Sequence, residues 1–188
     1  VNGLRKHEGL TLIELVVVIA LISVVVGFAV PGFAGLVERS HRQTTISSMV
    51  NLFNVSRTAA VQQQVPVTIC PLDPADAKCT RDWSLPVTAF TDPLRQRQLT
   101  SSTEVVLVKT APSRGRLIGG TGIRRYFGFN ADGMAAGAIG NVTWCPDDRD
   151  ASKAVQLRIN WGGRVVRARD TDGDGIAEDS RGAPLVCS

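Results

Sequence analysis

Residues 10–30 form an apolar run of 21 residues whose one charge is Glu14. A helix of that length covers roughly 32 Å at about 1.5 Å per residue, enough to cross a hydrocarbon core of about 30 Å. A secretory signal peptide has a shorter apolar part, roughly 7 to 15 residues, followed by a small-residue cleavage site. The polar segment before the run carries Arg5 and Lys6, and positive charge there predicts a cytoplasmic N-terminus with the rest of the chain on the other side. Glu14 is the awkward residue, because a carboxylate inside a span costs a few kcal/mol (~3) unless something pairs with it.

The residues around it, Gly9-Leu10-Thr11-Leu12-Ile13-Glu14-Leu15, closely resemble the type IV prepilin signal. The resemblance implies a prepilin peptidase that cuts after Gly9, N-methylation of Leu10, and a registering role for Glu14 against the terminal amine of a neighbouring subunit. Leucine stands at Leu10 where phenylalanine is commoner in that family. Pro31 falls where many pilins have a helix-bending proline. An amine and carboxylate pair in an apolar filament core agrees with this, since low dielectric strengthens their attraction. The alternative is a simple bitopic anchor that tolerates a glutamate near the interface.

After Pro31, the apolar residues Phe33, Leu36, Val37, Ile46, Met49, Val50, Phe53, Ala60 and Val61 recur mostly at spacings of three and four, the pattern of an amphipathic helix continuing the span. It is expected to end near Gln64, because Pro66 disfavours helix at Val65; unbroken, residues 10–64 would make a helix of about 80 Å. Strand-like segments then follow at 67–70, 87–90, 104–109, 115–118, 124–129, 142–145, 154–160 and 164–169, separated by Gly, Pro, Asn and Asp. Short strands without intervening helices imply one or two antiparallel sheets on the helix's apolar stripe. The domain reading is a leader at 1–9, a membrane or filament-core helix at 10–30, an amphipathic helix at 31–64 and an exported β headpiece at 65–188. The fold class is α+β, and the resemblance implies the pilin fold.

All four cysteines, Cys70, Cys79, Cys145 and Cys187, fall in the headpiece. An even count in an oxidising compartment favours two disulfides, and four cysteines allow three pairings. Proximity along the chain suggests Cys70 with Cys79 and Cys145 with Cys187. Zinc is disfavoured by the long gaps and by the want of a nearby histidine, with only His7 and His41 present. Ser56-Arg57-Thr58-Ala59-Ala60 with Val65-Pro66-Val67-Thr68-Ile69-Cys70, then Asp82-Trp83, Phe90-Thr91-Asp92, Phe129-Asn130-Ala131-Asp132-Gly133 and Gly163-Arg164-Val165, resemble in order the GspH and FimT group of minor pilins and pseudopilins. Trp83 and Phe129 read as core.

Two constellations carry chemistry. In residues 170–179, Asp170, Asp172, Asp174 and Glu178 stand at loop positions 1, 3, 5 and 9, with Gly175 at 6 and the Ile176 carbonyl at 7, the front half of a calcium loop. Position 12 is Arg181, which excludes a full EF-hand; the remainder resembles the shorter DxDxDG calcium loops of exported proteins, closed by Glu178 or Asp179. The alternative is a solvated acidic turn. The second constellation is basic: Arg158, Arg164, Arg167 and Arg169, with Arg114, Arg116, Arg124 and Arg125 earlier. Arg164, Arg167 and Arg169 resemble the Gly-Arg-x-Arg-x-Arg stretch through which some FimT-type pilins bind DNA, but one extra residue puts Arg164 on the opposite strand face from Arg167 and Arg169.

Nothing supplies a nucleophile with a base, a phosphate loop or paired carboxylates in a cleft, so no enzyme is expected. The resemblance implies a minor pilin or type II secretion pseudopilin, held in the inner membrane with a cytoplasmic N-terminus and periplasmic headpiece, then assembled near the tip of a pilus or pseudopilus. Its partners would be other pilins through the N-terminal helix, the prepilin peptidase and an assembly platform. The alternatives are a DNA-capturing competence pilin and a bitopic protein with a ligand-binding β domain.

Overall fold

The computed structural model describes residues 11–136 and 139–187; Gly9 and Leu10 lie outside them. The chain divides into two units, Val1–Ser40 and His41–Ser188, and the one α-helix among the described residues, α1 (Leu12–Gln63), contributes residues to both. Helix continues through Pro31, although proline supplies no N–H to the carbonyl four residues back. In the first unit the side chains of Leu12, Ile13, Ile19, Leu21 and Ile22 are exposed. Among the described residues no helix is long and apolar enough to cross a membrane, and the expected run of residues 10–30 is only partly within them.

In the second unit α1 buries Ile46, Met49, Leu52, Phe53, Ser56 and Ala60, a three-and-four spacing that makes one stripe. The expected stripe was longer. Phe33, Leu36, Val37 and Val61 are exposed instead, and Val50 is half-buried, while Leu52 and Ser56 are fully buried members that the expectation lacked. Ser56 enters the core because its hydroxyl donates back to the Leu52 carbonyl at 2.6 Å. The helix ends as expected from Pro66. Gln64 takes a left-handed φ of 56°, the Val65 N–H donates to the Ala60 carbonyl at 3.3 Å, and the Gln64 side chain donates to Val61 O at 2.7 Å. This is a Schellman closure with glutamine where glycine is usual.

Among the described residues eight strands follow: β1 (Val67–Pro71), β2 (Val87–Thr91), β3 (Val105–Lys109), β4 (Arg116–Gly120), β5 (Phe127–Phe129), β6 (Gly140–Cys145), β7 (Val155–Ile159) and β8 (Val165–Arg167). They form two four-stranded sheets, ordered β3-β2-β1-β5 and β4-β6-β7-β8, with antiparallel pairing throughout. Each strand lies where the sequence places one, but β5 is shorter than expected. A turn absorbs its first half: Gly122 has φ 63°, and the Arg124 N–H donates to Thr121 O at 3.2 Å.

Side-chain alternation gives each sheet an inner and an outer face. Val67, Ile69, Val87 and Ala89 of the first sheet, and Leu117, Val142, Trp144, Leu157 and Ile159 of the second, share one core with the α1 stripe. Phe127 is the hinge of that core, edge-on to Phe53 at 5.3 Å and to Trp83 at 5.8 Å. Trp83 and Phe129 are both buried, as core residues should be. Each outer face carries a disulfide. Cys70–Cys79 packs with Phe90, Leu72, Leu99 and Tyr126 behind the first sheet. Cys145–Cys187 packs with Ala154, Leu185, Ile118, Ile176 and Ala177 behind the second.

Three of the sequence motifs meet at one point. Arg57 Nε donates to the Gly133 carbonyl at 2.9 Å. A Cβ on Gly163 would overlap that same carbonyl and come within 3.2 Å of Arg57 Nε and of the Phe129 ring. A fourth, Asp92, is a buried carboxylate with three donors: Thr68 Oγ1 at 2.8 Å, Gln96 N at 2.8 Å and Arg97 N at 3.0 Å. It holds Arg95 and Arg97 in left-handed conformations that non-glycine residues otherwise avoid.

Gly163→Ala is therefore expected to cost more than about 2 kcal/mol, from left-handed strain plus the overlap, whereas Gly122→Ala, which has open space around it, carries only the strain of about 1 kcal/mol. Urea denaturation of both variants measures the difference. Replacing both Cys145 and Cys187 by serine should lower stability by about 4 kcal/mol, against about 3 kcal/mol for the Cys70 and Cys79 pair, because the first bond spans 42 residues and the second 9.

Candidate functional site

The N-terminus of α1 carries a reciprocal pair that the sequence reading missed. The Glu14 N–H donates to Thr11 Oγ1 at 3.3 Å, and Glu14 Oε2 accepts from the Thr11 N–H and hydroxyl, each at 3.4 Å. Thr11-x-x-Glu14 is thus a capping box, legible as the spacing of a hydroxyl and a glutamate three residues apart. Its bonds are long, at 3.3–3.4 Å, and the residue is exposed. Further along, Ser23 Oγ donates to Ile19 O at 2.7 Å, which satisfies within the helix the one polar side chain of residues 15–30.

The acidic segment between β8 and the C-terminal disulfide folds into a turn with Gly173 at φ 85° and Gly175 at φ 89°. Asp170 accepts from Gly173 N at 2.7 Å with Oδ1 and from Gly175 N at 2.9 Å with Oδ2. Asp172 Oδ1 accepts from Asp174 N at 3.1 Å, and Asp174 Oδ1 from Ile176 N at 2.7 Å. These bonds fold four carboxylates toward one another. Asp170, Asp172, Asp174 and Glu178 each bring an oxygen within 4.8 Å of the others. Of the two residues expected to close the loop, the structure gathers Glu178. Asp179 turns away, accepting from Arg181 N at 2.7 Å and Ala183 N at 3.1 Å, with the Arg181 guanidinium at 3.2 Å. Those donors, the Arg181 amide first, hold the Asp179 carboxyl below its ordinary pKa.

Strand β8 covers only Val165–Arg167, so Arg164 and Arg169 lie outside it and strand parity does not sort the arginines as expected. Arg164 sits in the β7–β8 turn, where its N–H donates to Asn160 Oδ1 at 2.9 Å. Arg167 is on β8 opposite Leu157, and Arg158 on β7 is opposite Val166. Arg158, Arg167 and Arg169 line one pocket, and Glu178 and Asp179 line it too, so the basic rim and the acidic turn adjoin. Of the earlier arginines, Arg114 supplies its carbonyl to Trp144 Nε1 at 3.2 Å, while Arg124 and Arg125 are exposed in the turn before β5. His41 belongs to the second unit, where its Nδ1 lies 3.2 Å from Ser113 Oγ.

Residues 4–30 match the prokaryotic N-terminal methylation motif. The fold is similar to a crystal structure of the type IV minor pilin FimU of Pseudomonas aeruginosa strain PAO1, with a TM-score of 0.53 and 16% identity over 81% of this chain and 99% of that one. A second crystal form of FimU gives a TM-score of 0.47 and 17% identity over 78% and 99%. A comparison with curated proteins found no match. Residues 45–163, more than half of the chain, match the family Type II transport protein GspH, and to that family this chain belongs.

Proposed function

We propose that this chain is a minor subunit of a type IV pilus or type II secretion pseudopilus, inserted in the inner membrane with its headpiece in the periplasm and then drawn into the filament near the tip or at initiation. The observation that carries the reading is the N-terminal run. A helix whose Leu12, Ile13, Ile19, Leu21 and Ile22 side chains are exposed needs an apolar surrounding, and a bilayer followed by a bundle of like helices supplies one at each stage. Gly9 is the processing site in this reading, Leu10 the methylated residue, and the partners are other pilins, the prepilin peptidase and an assembly platform. The work is structural, not catalytic.

Glu14 has two jobs in this account. Inside the chain it completes the capping box; in the filament it faces a neighbour's terminal amine across a medium of low dielectric, where the pair is strong only if both members are charged. Glutamine preserves the first job, since it serves at this position of a capping box, but not the second. Co-expression with a prepilin peptidase should yield a mature chain beginning with Leu10 by mass spectrometry, and Gly9→Val should block the cut. Glu14→Gln and Glu14→Ala should both be cut, yet each should fall by at least about tenfold in sheared filaments, the loss expected where an apolar site strands an unpaired charge. A Glu14→Gln subunit that assembles like wild type would mean that capping is the whole role, and an uncut chain in membranes would favour a bitopic protein outside any filament.

A second reading, DNA capture, rests on Arg158, Arg167 and Arg169 lining one pocket. Phosphate contacts make such binding steeply salt-dependent. If it holds, Arg167→Ala with Arg169→Ala should weaken duplex binding by about tenfold or more at low salt and flatten its salt dependence by roughly two contacts, measured by fluorescence anisotropy. Unchanged affinity removes these residues from any DNA site.

A further inference from the structure

We propose that Asp170, Asp172, Asp174 and Glu178 form a calcium site that locks the C-terminal cover of the second sheet. The gathering of four carboxylates is the smaller part of the case. Glu178 differs from the three aspartates: it is only 6% exposed. Its Oε2 accepts from the Thr171 N–H and hydroxyl, both at 2.8 Å, while its Oε1 is fully buried and has no hydrogen-bond partner. A buried, half-satisfied carboxylate is a costly group for a chain to keep. Here it is held, by Thr171 on the other oxygen, among the three aspartates that complete the cluster. A cation bound by the cluster would meet the Glu178 carboxylate, whose Oε1 has no hydrogen-bond partner from the protein.

Ligand chemistry selects the ion. The donors are all carboxylate oxygens, which excludes a preference for zinc, whose structural sites use thiolate and imidazole. Oxygens within 4.8 Å of one another match the width of a calcium shell with bonds of about 2.3–2.6 Å, and six to eight ligands leave places for water and for the Ile176 carbonyl at loop position 7. Each aspartate has already spent oxygens on backbone N–H groups of the turn, so the loop is shaped before the ion arrives. Magnesium, with its strict octahedron at about 2.0–2.1 Å and reluctant dehydration, suits an irregular turn of this kind poorly.

The consequence of binding lies in what the loop is tied to. Ile176 and Ala177 pack with Cys145, Ala154, Leu185 and Cys187. The Glu178 N–H donates to Arg169 O at 3.1 Å and the Leu185 N–H to Ala177 O at 2.9 Å. An ion held by residues 170–178 therefore fastens the segment that roofs the second sheet, from β8 to the disulfide.

The full chain in detergent, freed of metal, can be melted in chelator and in about 2 mM calcium. With a dissociation constant near 0.1 mM, the range of extracellular calcium modules, the folded-to-unfolded ratio should rise about 20-fold, a melting shift of about 4 °C, with a matching calorimetric isotherm for calcium alone. Glu178→Gln should abolish the shift and, in chelator, melt at or above wild type, because it removes a charge that lacks a partner. Asp172→Ala should also abolish the shift. Three results overturn the proposal: no shift and no binding heat for wild type; an equal shift from magnesium or from sodium chloride at matched ionic strength, which is screening; or Glu178→Gln melting below wild type in chelator with its calcium response intact. If a variant fails to fold, the wild-type isotherm and the magnesium comparison decide alone.

Discussion

The burial of one helical stripe between two sheets is the constraint on which the rest of the headpiece depends. Ile46, Met49, Leu52, Phe53 and Ala60 present apolar surface that neither sheet could cover alone, and the inner faces of both sheets close over it. Burying side chains of this size is worth roughly 1.5–3 kcal/mol each. Phe53, Phe127 and Trp83 interlock edge to face at the centre, so helix, first sheet and the loop before β2 are positioned together. Arg57 then ties the far end of the stripe to the loops at Gly133 and Gly163.

Two sheets sharing one core leave two outer faces to protect. Short strands with buried outer residues, such as β1 and β2, whose every position is buried, require a cover, and a small domain has little chain to spare for one. Loops serve as the covers here, and each is pinned by a disulfide: the loop segments at Leu72 and Leu99 by Cys70–Cys79 and the C-terminal tail by Cys145–Cys187. A bonded loop loses much of its entropy in the unfolded state, so it stays down without a large apolar face of its own. In the first cover Asp92 and the Arg97 guanidinium, 4.9 Å over the Tyr126 ring and bonded to its hydroxyl at 3.1 Å, do the polar work. In the second, the acidic turn occupies the corresponding place, with one buried oxygen still unmatched.

The two units answer to different solvents. The second is closed around its own core. The first exposes aliphatic residues along α1, and its Glu14 is held at the helix start by long bonds to Thr11. Membership in the GspH family and the methylation motif give that exposure a reason, because the helix of such a subunit is built to meet lipid and then its neighbours.

How much of this was legible before folding follows from the range of each interaction. The apolar run, the helix and its end near Pro66, eight strand positions and the core roles of Trp83 and Phe129 all rest on local pattern, and each stands where the pattern puts it. So does the disulfide pairing suggested by chain proximity; the prepilin motif rests on the match of residues 4–30 to the N-terminal methylation motif, since Gly9 and Leu10 lie outside the described residues. The capping box was equally local, in Thr11 and Glu14, and was missed because the motif drew attention to the glutamate alone. What the sequence could not order is the sheet topology: β5 joins β1 across some 60 residues while β4 leaves for the other sheet, because pairing partners are chosen by the shape of the shared core and not by neighbours along the chain. The choice of Glu178 over Asp179 belongs to the same class. Adjacent carboxylates are alike in sequence, but strand direction and the fold of the tail bury one among the aspartates and turn the other toward Arg181.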